Sequence, residues 1–302
     1  MRGDSEQVEV RTVCPLGATL GEGPIWSAED AALWFVDIKA RKVHRFHPES
    51  GGLKSWEAPA QVAWVVPAVG GGLIAGLQTG LHRFEPEKGT FTLLAAVESA
   101  LPGNRLNDAT VGPDGRLWFS SMDDGEEKPS GQLYRADAKG LWRVAGGHPI
   151  INGPAISPDG RTLYHNDTAG GVMYASRITA DGGLADTRVF ARIDPADGHP
   201  DGPTVDAEGC VWVGLFGGWG VRRHAPDGTL MRFVRLPTAN VTKVAFGGPG
   251  LRTIYATTAT KNLSAEQRAA QPLAGHLFAF DAGVSGQVAH KAAPFGTQRH
   301  YD

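Results

Sequence analysis

Apolar residues along this chain come in short runs bounded by Gly, Pro, Asp and Asn, and the runs recur in a fixed order. Three times a polar residue leads through Gly-Pro into an apolar strand start: Glu22-Gly23-Pro24-Ile25-Trp26, Asn152-Gly153-Pro154-Ala155-Ile156 and Asp201-Gly202-Pro203-Thr204-Val205. A fourth copy, Asn107-Asp108-Ala109-Thr110-Val111, lacks the Gly-Pro. Turn signals follow (SAEDAA, GPDGR, SPDGR, DAEGC), and then an apolar run: Leu33-Trp34-Phe35-Val36, Leu117-Trp118-Phe119, Thr162-Leu163-Tyr164 and Val211-Trp212-Val213. A further strand closes each copy, as KVHRFHP, QLYRADA, VMYASRI and VRRHAPD. Runs this short, rich in β-branched and aromatic residues and punctuated by turn formers, predict strands rather than helices.

The spacing is regular. Asn152 follows Asn107 by 45 residues and Asp201 follows Asn152 by 49. Asn107 follows Glu22 by 85, which leaves room for two units. The intervening unit lies near Trp64, where AWVVPAVGGGLIAGLQTGLHRFEP repeats the same order. A last unit starts at residues 241–246 and runs through TIYATT to HLFAFD. Six units of roughly 40–50 residues predict an all-β fold, a six-bladed β-propeller of four-stranded antiparallel blades. No linker or composition shift divides the chain, so residues 1–302 are expected to form one domain. The N-terminal segment, about residues 7–14, is predicted to add an outer strand to the last blade and close the ring without a free edge. Residues 264–271 (SAEQRAAQ) are a candidate short helix.

Composition narrows the function classes. The 41 Gly and 20 Pro of 302 residues suit many tight turns. Lys plus Arg (29) nearly balances Asp plus Glu (32), and no stretch concentrates the basic charge that nucleic-acid binding requires. The start, MRGDSEQVEV, has no apolar core of a signal peptide, and the longest uncharged run, 61–81, is broken by Pro67 and Gly70-Gly71-Gly72. A cytoplasmic protein without a membrane or nucleic-acid partner is expected. The oligomeric state stays open, and a monomer is compatible with it. Cys14 and Cys210 fit neither a disulfide framework nor a zinc motif and are expected to be free thiols. In that compartment the sequons at Asn166, Asn240 and Asn262 carry no meaning.

In a propeller the first strand of each blade lines the central channel. Glu22, Asn107, Asn152 and Asp201 belong to four different units and are expected to meet at the channel mouth. The Gly after three of them permits close backbone approach, and the Pro suits a strand's first residue. Two carboxylates in one narrow funnel repel, and one would protonate unless a cation intervened. With amide oxygens they make an oxygen cage for Ca²⁺, Mg²⁺ or Mn²⁺, with Fe²⁺ and Zn²⁺ also accommodated. Three protein ligands leave positions open for water and substrate, as in a catalytic metal site. One Asp-Gly or Asn-Gly alone reads as a turn; the recurrence at matching positions argues for more.

Other signals are weaker. Gly70-Gly71-Gly72-Leu73-Ile74-Ala75 has no βαβ context for a dinucleotide site, and Asp194 and Asp197 lack EF-hand spacing. No HExxH motif and no G-x-S-x-G elbow occur. His165 and His199, near the candidate ligands, read as structural or supporting groups. Trp64, Phe216 and Trp219 are candidates for apolar walls, with packing between blades the favoured alternative.

The segments LGEGPIW (20–26), NRLNDATVGPDGRLWFSSMDDGEE (104–127), INGPAISPDGRTLYHND (151–167) and PDGPTVDAEGCVWV (200–213) resemble the sugar-lactonase family that includes gluconolactonase and the senescence marker protein regucalcin. The resemblance covers nearly the whole chain in family order. LWFVDIKARKVHRFHP, MDDGEEKPSGQLYR and NVTKVAFGGP look closest to its bacterial xylono-1,4-lactonase and L-arabinonolactonase branch. It implies a six-bladed propeller with one divalent cation in the channel. The family's metal ligands carry over onto Glu22, Asn152 and Asp201, and its substrate contacts onto Arg105 and Asn107. Regucalcin-like members place a substrate-binding acid where this chain has Gly125; Asp123 and Asp124, just before it, are candidates to substitute.

The function so implied is metal-dependent hydrolysis of an aldonolactone, a pentonolactone or gluconolactone, to the aldonic acid. The metal polarises the ester carbonyl, Asp201 is the general base beside its ligand role, and Arg105 and Asn107 donate to the sugar. Two alternatives stand beside it. One is an aryl-ester or phosphotriester hydrolase on the same propeller, which would want an apolar cup. The other is a non-catalytic calcium-binding propeller, which would want an exposed interaction rim.

Overall fold

The computed structural model describes residues 8–300, and strands dominate it. Four sheets are four-stranded antiparallel meanders, spanning residues 21–57, 62–96, 104–148 and 151–192. A fifth sheet has eight strands. It joins the meander 199–235 to a set made of Val241–Gly247, Thr253–Thr258, Leu277–Asp281 and Arg11–Cys14. One parallel bridge, Gly202 to Lys243, connects the two halves. The repeat predicted six separate sheets; the last two are instead hydrogen-bonded, because their inner strands approach closely where Gly202 has no side chain. The first strand of each meander packs against the next, and Val241–Gly247 returns to Gly21–Ser27. The result is a β-propeller-like ring.

Burial follows radial position. The second strands, such as Ala32–Asp37 and Leu117–Asp123, are buried at every residue because neighbouring sheets cover both faces. That two-sided burial is why they read as continuous apolar runs. The fourth strands, such as Gly52–Glu57, lie at the rim and are largely exposed. Trp64, Trp118 and Trp212 are among the largest fully buried side chains. Trp212 keeps its polar atom satisfied by donating from Nε1 to Asp206 Oδ2 at 2.8 Å. The repeated Asp-Gly turns share one chemistry: Asp114 Oδ1 accepts from Arg116 N and Asp159 Oδ1 from Arg161 N. Gly115 and Gly160 supply the left-handed backbone there, at φ 79° and 70°.

The chain ends belong to the ring. Arg11–Cys14 pairs antiparallel with Leu277–Asp281; residue 7, where the expected closing segment begins, lies outside the described residues. The C-terminal segment runs along the ring, bridging Gly286 to Asp206, Ala292 to Ala68 and Arg299 to Leu141. Nothing in the repeat announces that strap. The one α-helix among the described residues is Ala265–Ala270, capped by a Ser264–Gln267 capping box. Cys14 and Cys210 are buried free thiols. Among the described residues no helix is long and apolar enough to cross a membrane.

Candidate functional site

All six inner strands break register with their neighbours at the same point of the repeat. The breaks fall between Glu22 and Ile25, Val62 and Trp64, and Leu106 and Ala109. They recur between Asn152 and Ala155, Pro200 and Pro203, and Val241 and Val244. A bulge of this kind re-aims a side chain and leaves a position where no ladder donor is needed. Pro24, Pro154 and Pro203 therefore lie inside their strands, not at the first residue as expected.

The breaks bring Glu22, Arg105, Asn107, Asn152 and Asp201 to one cavity of about 380 Å³. Leu20, Met122, Ile150 and Phe216 provide apolar wall, and Thr168 and His199 also line it. A chain of hydrogen bonds sets the polar side. Arg105 donates from Nε to Asp124 Oδ1 (2.8 Å) and from Nη1 to Asn107 Oδ1 (2.6 Å) and Leu106 O (3.1 Å). Asn107 Nδ2 then donates to Ile151 O and to Asn152 Oδ1, both at 2.9 Å. Asn152 Nδ2 donates to Thr168 Oγ1 at 2.9 Å, and that hydroxyl to Pro200 O at 2.8 Å. The Asn152 amide is thereby oriented, and its oxygen keeps a second lone pair.

The carboxylates differ sharply in their partners. Among the described residues Glu22 Oε2 accepts only from its neighbour Gly23 N, at 2.9 Å. Among the described residues no hydrogen bond or ion pair reaches the Asp201 carboxylate. Three cations stand nearby, and each is committed elsewhere: Arg105 to Asp124, Lys243 to Asp108 and Lys261 to Glu126. Burial, then the charge of Asp108, lifts the Glu22 carboxyl to about 7. Burial, then the charges of Glu22 and Asp108, pushes Asp201 well above the usual carboxylate range. Two buried carboxylates that oppose each other's ionisation, beside an oriented amide oxygen, fit a hard divalent cation.

Asp123 and Asp124 are not among the cavity-lining residues. The Asp123 carboxylate accepts from Lys128 N and Glu127 N, which staples its own loop and holds its pKa down. Burial opposes ionisation of Asp124, but hydrogen bonds from Lys39 and Gln61 and the charge of Arg105 hold it well below the usual range. The acid that reaches the cavity is Glu126, one residue past Gly125, in a left-handed conformation at φ 66°. Nothing in MDDGEE marks which acid turns inward. Lys261, its partner, lies in the connection ahead of the helix and carries no repeat signal.

Phe216 lines the cavity, whereas Trp64 is buried and faces a second cavity on the opposite side of the register breaks. Trp219 sits under Arg235, whose Cζ is 5.5 Å from the ring centroid. His199 donates from Nδ1 to Thr168 O at 3.2 Å. His165 stacks on Tyr174 at 5.2 Å, and burial lowers its pKa to about 4, so it is neutral. Elsewhere Asp206, Glu208 and Cys210 bring potential ligand atoms within 4.8 Å of one another. Asp206 is already occupied there by Trp212, Arg223 and two backbone N–H groups, which makes the cluster a braced turn.

Residues 20–260 match the family described as SMP-30/Gluconolactonase/LRE-like region. The chain is 36% identical to 6-deoxy-6-sulfogluconolactonase of Pseudomonas putida over 273 residues, covering 89% of this chain and 93% of that one. It is 35% identical to L-arabinolactonase of Azospirillum brasilense, over 93% and 94% of the two chains. The crystal structure of a calcium-binding protein, regucalcin, from Agrobacterium tumefaciens is similar with a TM-score of 0.90 at 28% identity, covering 95% of this chain and 98% of that one. The family match spans most of the sequence, and the relatives at 30% identity or more over about nine-tenths of the chain include enzymes named as lactonases, so the chain belongs to the SMP-30/Gluconolactonase/LRE-like family and is a lactonase.

Proposed function

We propose that this lactonase hydrolyses a sugar lactone, an aldono-pentonolactone or gluconolactone, using one divalent cation held by Glu22, Asn152 and Asp201 at the hub of a six-bladed propeller. The six-blade count takes the eight-stranded sheet as two blades joined by the Gly202–Lys243 bridge. One observation carries the reading. Among the described residues Glu22 and Asp201 are buried together without a cation of their own, while the nearby Arg105, Lys243 and Lys261 are each paired with a different acid. The oxygen-only donor set favours Ca²⁺, Mg²⁺ or Mn²⁺ over softer ions such as Zn²⁺ and Fe²⁺. The relatives named 6-deoxy-6-sulfogluconolactonase and L-arabinolactonase support the substrate class.

When bound, the cation supplies Lewis acidity toward the ester carbonyl, worth several kcal/mol. The chain's own residues orient the reactants. Arg105 spends Nε and Nη1 on Asp124, Leu106 and Asn107, which leaves the two N–H groups of Nη2 for substrate hydroxyls. Asn107 fixes Arg105 against Asn152 and keeps one oxygen lone pair for the sugar. Asp201 accepts a proton from the water whose oxygen adds to the carbonyl carbon. The ring C–O bond then breaks, and the proton passes to the departing ring oxygen. The product is the open-chain hydroxy acid. Phe216, Leu20, Met122 and Ile150 limit the water around the reacting centre.

A pH-stat assay of acid release tests this on D-xylono-, L-arabinono- and D-glucono-lactones. The protein is stripped of metal and reloaded with Ca²⁺, Mg²⁺, Mn²⁺, Fe²⁺ or Zn²⁺. Activity should vanish on stripping and return with at least one ion, and Asp201→Asn should lose both ion binding and turnover. Rates untouched by complete metal removal would overturn the reading.

A further inference from the structure

Directly after the candidate site residues of four inner strands, the repeat sets a second tier of residues. Gly23, Asp108, Gly153 and Gly202 follow Glu22, Asn107, Asn152 and Asp201. At the register breaks of the two remaining inner strands stand Trp64 and Lys243. Gly202 leaves space that the Lys243 stem fills, while Gly23 and Gly153 let neighbouring inner strands approach. The Lys243 ammonium reaches Asp108 from an inner strand three units away, so the pair spans the channel. Each glycine is sterically required. A Cβ on Gly202 would lie 2.6 Å from Lys243 Cγ, one on Gly23 2.8 Å from the Ala63 carbonyl oxygen, and one on Gly153 3.0 Å from that of Tyr164.

The pair is sealed in, with the side chains of Lys243 and Asp108 only 8% and 2% exposed. Asp108 is held further by Ala109 N on Oδ1 (2.8 Å) and Gly153 N on Oδ2 (2.9 Å). Lys243 borders the second cavity, so the pair lies between the two. A buried ion pair gains little net stability over apolar side chains of similar size. What this pair does set is charge. Glu22, Asp201 and Asp108 bring three negative charges to the hub, and Lys243 returns one, leaving the two that a single divalent cation cancels.

We propose that Lys243 is a built-in counter-charge that withdraws the Asp108 carboxylate from the cation cup and so sets the cup's preference for divalent over trivalent ions. The inference rests on the cation reading above. The charge of Asp108 acts on both Glu22 and Asp201, and that of Lys243 on Glu22, which places the pair within electrostatic reach of the cup.

Isothermal titration of the metal-stripped full-length protein with Ca²⁺, and with Tb³⁺ followed also by its luminescence, tests the idea in four forms: wild type, Lys243→Met, Asp108→Asn and the double variant. Lys243→Met keeps the aliphatic stem and frees the third carboxylate, so Tb³⁺ affinity should rise relative to Ca²⁺ by about tenfold or more. Asp108→Asn leaves an uncompensated ammonium and should weaken both ions by about tenfold. The double variant should return the Tb³⁺/Ca²⁺ ratio to the wild-type value. If Lys243→Met does not fold, Asp108→Asn against the double variant decides the same question. Wild type that binds, with both variants unchanged in affinity and ratio, sinks the counter-charge alone. Wild type that binds neither ion removes the cation reading and this inference together.

Discussion

Without the proposed cation, the fold should have a pH-dependent weakness centred on Glu22. Its carboxyl rises from 4.5 to about 7 on folding, by burial first and the charge of Asp108 second. A folded-state pKa above the unfolded one means that folding takes up a proton within that window. Stability is then highest below pH 4.5 and is lost as the pH climbs through about 7. A tenfold change in proton affinity corresponds to about 1.4 kcal/mol, so the full window is worth about 3 kcal/mol. Urea unfolding of metal-stripped protein at pH 5 and pH 8, beside Glu22→Gln, measures it. Wild type should lose roughly 2–3 kcal/mol more than Glu22→Gln over that range, most of the full window. Restoring a saturating divalent ion at pH 8 should recover the loss, because the bound ion replaces the proton. Equal pH slopes in wild type and Glu22→Gln would refute the account of Glu22 as a buried, uncompensated acid.

Two further outcomes follow from the geometry. Arg105→Lys replaces a fork that holds Asp124, Asn107 and Leu106 with a single ammonium and removes the Nη2 donors. Losing a charged hydrogen bond of about 1.5–3 kcal/mol should lower kcat/KM roughly tenfold to a hundredfold, mainly through KM; steady-state kinetics within twofold of wild type would count against the role. Gly202→Ala drives a methyl into the Lys243 stem, whose Cβ, Cγ and Cδ all lie within 2.8 Å of the new atom. It should cost about 1–3 kcal/mol in chemical denaturation, and an unchanged midpoint would show that the inner strands can part.

The propeller makes the electrostatics of its hub possible. Each inner strand is clamped by buried neighbours, so its bulge cannot relax to move a carboxylate back into water. The same rigidity fixes Asn152 between Asn107 and Thr168. The loops that carry Glu126 and Lys261 lie outside those strands, and the side chains of this pair keep 32% and 17% exposure.

The order of strands, the turns between them and the grouping of Glu22, Asn107, Asn152 and Asp201 were legible in the residues alone. In a ring of repeats, equal position along the repeat means equal radius and height, so chain spacing translates directly into convergence. Burial was legible for the same reason: second strands covered on both faces need apolar runs, and rim strands do not. The tertiary structure alone decided that Glu126 faces the cavity while Asp123 staples its loop and Asp124 braces Arg105. It also decided that Lys243 crosses to Asp108, that Lys261 meets Glu126, and that the C-terminal strap ties three units together. Asp108 and Lys243 stand at matching register breaks but differ in charge from the other members of that tier, and the remaining contacts join positions that are not equivalent in the repeat. They leave no periodic trace, because they depend on which side chains come into reach only after the ring has closed.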